Sequence, residues 1–119
     1  ALLEERERYV LVSVHSFTPE LYGVKRPFHA GVLYERDTRL AAPVLELLRQ
    51  DQDLVVGDNE PYKASRATDY ALVEYGEDRG APYVELEVRQ DLIADDAGQE
   101  LWAERLARVL RAAAAGLRS

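Results

Sequence analysis

The sequence predicts an α/β fold, with a parallel or mixed sheet flanked by helices. Three observations lead there: short apolar β-branched runs, stretches of helical spacing between them, and no repeat or low-complexity linker. The chain has 119 residues, 47% hydrophobic and 31% charged, which is room for one domain around one core.

Tyr9 to Val14 (YVLVSV) is apolar at nearly every position, so it is expected to be a strand buried on both faces. A second short run, Gly31 to Tyr34, follows a loop from Pro19 to Pro27. Leu40, Val44, Leu47 and Leu48 recur at helical spacing, and Pro43 fits only a first turn. Leu54-Val55-Val56 is the third buried run, stopped by Gly57-Asp58-Asn59. Thr68 is placed to cap a helix to about Asp78, before Arg79-Gly80-Ala81-Pro82 breaks it. Tyr83 to Val88 (YVELEV) alternates and is expected to be a strand. The last helix starts near Ala97, where Asp96 and Gln99 have capping-box spacing, and buries Trp102, Leu106, Val109, Leu110 and Ala113.

In such a fold, sites gather at the carboxyl ends of strands. That directs attention to His15-Ser16, to Asp58-Asn59 and to the stretch from Glu87 to Asp91. The net charge of −7 is spread along the chain, which argues against a nucleic-acid surface. With no cysteine, any metal must be held by imidazole and carboxylate, and a reducing cytoplasm is compatible. No apolar run is long enough to span a membrane, so no membrane partner is expected. The chain begins at Ala1 and contains no methionine, so a fragment or processed product is expected.

His15 and His29 are the only imidazoles. At the end of a buried strand, His15 is either a metal ligand through a neutral ring nitrogen or a hydrogen-bonded strand-end residue. Glu87, near Arg89, is either a general base with a pKa set by burial and charge or half of a surface ion pair. Asn59, Glu60 and Tyr62 offer an amide, a carboxylate and a phenol, or simply turn chemistry around Gly57 and Pro61. There is no Gly-rich phosphate loop, HExxH pair or GxSxG elbow.

Five segments together narrow this. SVHSFTP (Ser13 to Pro19), RPFHAGVLYERD (Arg26 to Asp37), LVVGDNEPY (Leu54 to Tyr62), TDY (Thr68 to Tyr70) and ELEVRQDLIAD (Glu85 to Asp95) stand in order. Together they resemble the N-formylglutamate amidohydrolase family, from about Tyr9 to Leu110. SVHSF and ELEVR are also similar to strands of zinc carboxypeptidases. The resemblance implies a phosphorylase/hydrolase-like α/β fold, one zinc, and a small N-acyl amino acid as substrate. It matches His15 to the last zinc ligand, Glu87 to the catalytic carboxylate and Arg89 to a position near the substrate. Asn59, Glu60, Tyr62, Asp69 and Tyr70 match positions lining the site, and Arg26 and His29 fall in a substrate-binding segment. His15 and Glu87 are therefore expected side by side, with Asn59 and Arg89 near them.

Two departures stand out. Tyr75 and Tyr83 occur where the resemblance leads one to expect histidine. The first two zinc ligands of the family lie upstream, whereas Ala1 to Arg8 contains no histidine. His15 alone lacks the three protein ligands of a catalytic zinc site, so this chain alone is expected to bind zinc weakly and to be inactive. The fold is then incomplete, and self-association or a companion chain is expected to cover its bare apolar face. The other readings are a truncated, non-catalytic partner-binding module and a peptidase on the same scaffold.

Overall fold

The computed structural model describes residues 9–61, 64 and 69–117. Tyr62, Thr68 and the segment from Ala1 to Arg8, all singled out above, lie outside them. Strand β1 spans Leu11–Phe17, β2 Glu20–Leu21, β3 Val24–Lys25, β4 Ala30–Leu33, β5 Val56–Asp58 and β6 Tyr83–Arg89. Helix α1 spans Ala41–Arg49; α2, Tyr70–Leu72, continues into a π-helical turn, Val73–Asp78; α3 spans Asp96–Gly116. A 3-10 turn, Gln90–Ile93, joins β6 to α3.

The main sheet is mixed, in the order β1-β6-β4-β5. β1 runs parallel to β6 and β4 parallel to β5, while β4 and β6 are antiparallel. The carboxyl end of β5 therefore points away from those of β1 and β6. This corrects the expectation that three strand ends share one edge: alternation of strands and helices does not fix strand direction, because the connections set it.

β6 is central, and the period of two divides its side chains cleanly. Val84, Leu86 and Val88 enter the main core with Ala30 and Val32 of β4, Val44 and Leu48 of α1, and Trp102, Leu106, Val109 and Ala113 of α3. Each large side chain buried this way contributes roughly 1.5–3 kcal/mol. Tyr83, Glu85, Glu87 and Arg89 face the opposite side, which α2 and its π turn partly cover.

β1 is not buried on both faces. It pairs only with β6 among the described strands, and Val12 and Val14 are exposed, Val14 by 56%. Its apolar composition records what the strand can bury, not which neighbours this chain supplies. It also starts later than expected and extends to Phe17, so His15 lies within it. Likewise the third run forms a strand only from Val56, and Val55 is exposed.

The segment after β1 is a hairpin rather than a plain loop. β2 and β3 are joined by Tyr22 and Gly23, both at positive φ (51° and 77°), as a tight two-residue turn requires. Helix α3 is capped by Asp95, not Asp96: its carboxylate accepts from the Gly98 amide at 2.8 Å, while Gln99 Nε2 donates to the Ile93 carbonyl. Asp95→Ala should lower stability by about 1 kcal/mol, read as an earlier urea midpoint with unchanged slope.

Candidate active site

The register of the sheet draws one row across its open face. His15 lies beside Glu87, Glu87 beside Gly31, and Gly31 beside Gly57. An imidazole, a carboxylate and two glycines thus stand level on four adjacent strands. Glu87 is 1% exposed and the His15 side chain 52%, so the carboxylate is sunk in the sheet while the ring meets solvent.

The glycines have a steric cause. A Cβ on Gly31 would sit 1.9 Å from the Glu60 carbonyl oxygen, and one on Gly57 would sit 2.5 Å from the Glu60 Cβ. The loop through Asn59, Glu60 and Pro61 therefore folds back flat over these two strands, on the face that carries Glu87. Asn59 holds the bend: it takes φ 55°, its amide donates to the Val32 carbonyl, and its Oδ1 accepts from the Tyr34 amide at 2.8 Å. The Asn59 amide oxygen is thus committed to the scaffold, and the loop backbone is what approaches the row.

Two more carboxylates join His15. Its Nε2 is 3.8 Å from Asp69 Oδ1 and 3.8 Å from Glu85 Oε1. Ligand atoms of His15, Asp69 and Glu85 all lie within 4.8 Å of one another. An imidazole with carboxylates around it is chemistry suited to zinc, whether the carboxylates bind the ion or orient the ring, so the residues present fit such an ion. Glu85 was not singled out from the sequence. The signal was there, since it shares the parity of Glu87 in a strand whose other face is wholly apolar.

Burial first, then a hydrogen bond with Asp69 and the charges of Asp69 and Glu87, push the Glu85 carboxyl up to about 9. A folded pKa above the unfolded one favours folding fully below about 4.5, and this contribution is lost as pH rises toward 9. In metal-free protein, Glu85→Gln should remove that loss. Its melting temperature relative to the parent should climb steadily from pH 5 to pH 9, as followed by circular dichroism.

The arginines differ in how firmly they are held. Arg89 Nε donates to Asp91 Oδ1 at 2.6 Å and Nη2 to Oδ2 at 3.1 Å, with Nη1 reaching the Phe28 carbonyl at 3.3 Å. Its planar fork is engaged by Asp91. Among the described residues Arg26 makes long contacts, 3.4 and 3.5 Å, from Nη1 to the Thr18 carbonyl and hydroxyl, and lies over the Phe17 ring. His29 is tied into the backbone: its Nδ1 accepts from the Val55 amide at 2.9 Å, and its carbonyl accepts from the Arg89 amide. Glu60 and Tyr70 are exposed at the rim.

The two tyrosines that stand where the resemblance led one to expect histidine part company. Tyr83 is fully buried; its hydroxyl accepts from the Glu35 amide at 2.7 Å and donates to Glu77 Oε1 at 3.3 Å. Burial is the main cause that pushes its phenol up to about 12, so it stays protonated near neutrality and is no proton shuttle there. Glu77 also accepts from the Arg36 and Asp37 amides, so the pair pins the loop after β4 to the π turn. Tyr75 is exposed and stacks under the Arg79 guanidinium at 4.3 Å.

The model of the N-formylglutamate amidohydrolase family matches residues 1–94, which hold the whole row and both carboxylates beside it. The chain belongs to this family. Among solved structures, the N-formylglutamate amidohydrolase-family chain is similar to gene product Atu2144 from Agrobacterium tumefaciens, with 30% identity and a TM-score of 0.86. The match covers 99% of this chain and 48% of that one, so the chain spans about half the length of its structural relative. No functionally curated protein matches it. The α/β fold with a mixed sheet and flanking helices is thus that of a close structural neighbour. No helix among the described residues is long and apolar enough to cross a membrane.

Proposed function

We propose that this chain is part of a zinc-dependent amidohydrolase that cleaves N-formylglutamate or a related N-acyl amino acid. What supports this most is the pairing of His15 with the buried Glu87 on adjacent parallel strands. Zinc, when bound, lowers the pKa of its water toward about 7 and polarises the scissile carbonyl. His15 is the ligand this chain contributes. Glu87 accepts a proton from the attacking water and returns it to the leaving nitrogen as the C–N bond breaks. Acid and amine are released, formate and glutamate in the case of N-formylglutamate.

Substrate carboxylates call for a guanidinium, whose fork matches them in two parallel bonds. Arg26 suits that role better than Arg89, because Asp91 occupies the Arg89 fork. The exposed Val12 and Val14 on β1 suit contact with the remainder of the domain or with a companion chain.

With the remainder of its domain restored and zinc supplied, the protein should release formate from N-formylglutamate, and His15→Ala should weaken zinc binding in a chelator competition. Absence of hydrolysis across a panel of N-acyl amino acids would defeat the reading. Turnover of short peptides instead would move the assignment to a peptidase on this scaffold.

A further inference from the structure

We propose that Asp69, backed by Glu85, is a positioning residue: it selects the Nε2–H tautomer of His15 and so turns Nδ1 toward the metal. A neutral imidazole has one N–H and one lone pair, and the surroundings decide which nitrogen has which. Here the choice is strongly biased. Nε2 faces two carboxyl oxygens at 3.8 Å, Asp69 Oδ1 and Glu85 Oε1, and the negative charge of the Asp69 carboxylate favours a proton on that nitrogen.

The Asp69 side chain is available for this task. It stands at the N-cap of α2, where an aspartate ordinarily accepts from a backbone amide of the first turn, yet it makes no such bond. It is only 12% exposed and faces the ring and the Glu85 carboxyl instead. Beneath it, Glu85 is 1% exposed, and its Oε2 is buried without a hydrogen bond among the described residues. Both carboxyl groups are largely shielded from solvent, while the ring they face is half-exposed. At 3.8 Å the contact is a charge interaction rather than a hydrogen bond. Carboxylates placed behind a ligating histidine commonly fix its tautomer and raise its basicity.

The role of Nδ1 rests on the metal-hydrolase reading, but the tautomer does not. Selective histidine ¹⁵N labelling of the metal-free 119-residue chain separates the two, since it needs neither zinc nor substrate. At a pH where both rings are neutral, His15 should show a protonated-type Nε2 and a lone-pair-type Nδ1. Asp69→Asn should lower the Nε2–H fraction, and Asp69→Glu should restore it. His29 is an internal reference: its Nδ1 accepts from the Val55 amide, so its pattern should stay constant and report an intact fold. A loss of tautomer preference with His29 unmoved is an effect that general destabilisation does not produce. The proposal is overturned if wild-type His15 is an even mixture or carries its proton on Nδ1, or if Asp69→Asn leaves the tautomer unchanged. In the zinc-loaded complete domain, Asp69→Asn should also weaken zinc binding by about 10- to 100-fold. Zinc bound at Nε2, with Asp69 as a direct oxygen ligand, would overturn it as well.

Discussion

Glu87→Gln should cut the hydrolysis rate of the complete, zinc-loaded protein by roughly two to four powers of ten, the usual range for a lost general base. Gln keeps the size and planarity of the side chain in a position that is 1% exposed, so packing against β1 and β4 survives. The amide lacks the basicity to take a proton from water. The loss should fall on kcat, with KM little changed, because the residue acts on the proton rather than on the bound substrate. Zinc affinity should stay near that of the parent, in contrast to His15→Ala. A side effect follows from charge: with the Glu87 carboxylate gone, one cause of the raised Glu85 pKa is removed, so that carboxyl should titrate lower. Full activity in Glu87→Gln would remove the proton-transfer role.

Gly31→Ala should be severely damaging, destabilising the chain by about 3 kcal/mol or more. The new Cβ would meet the Glu60 carbonyl oxygen at 1.9 Å, and both atoms belong to backbone, so no rotamer change relieves the clash. Gly31 is held on both sides, paired with Glu87 and with Gly57, and the loop is anchored by Asn59 to the Val32 carbonyl and the Tyr34 amide. Either β4 shifts or the loop lifts off the sheet beside Glu87. Urea unfolding should show a much earlier midpoint. In the amidohydrolase proposed above, the same variant should lose turnover even well below its melting temperature. An unchanged midpoint would mean that the loop does not press on β4 as described.

Much of this arrangement could be read in advance because it depends on periodicity. The α3 stripe of Trp102, Leu106, Val109 and Ala113, and the strand from Tyr83, follow from spacing alone, and both are found buried. The neighbouring positions of His15 and Glu87 came from motif order. What periodicity could not supply was long-range pairing. The reversed direction of β4 and β5, and the place of β1 with only β6 beside it among the described strands, depend on connections and on neighbours outside any local window. Glu85 was overlooked because a carboxylate in an alternating strand looks like a solvated one until the covering helix is known. The Tyr22-Gly23 turn was hidden for a related reason, since a tyrosine at positive φ is not a common turn signal.

The alternation along β6 has a consequence for how this scaffold can change. Val84, Leu86 and Val88 face the apolar core, while Glu85, Glu87 and Arg89 put their polar groups on the opposite face. Two inheritances are thus written on one strand, in alternate letters. A substitution at an odd position alters charge or hydrogen bonding without opening a void under α3, and one at an even position tunes stability without moving a carboxylate. Drift in polarity and drift in core packing can therefore proceed separately, provided that replacements at 85 and 87 keep the buried volume of a glutamate.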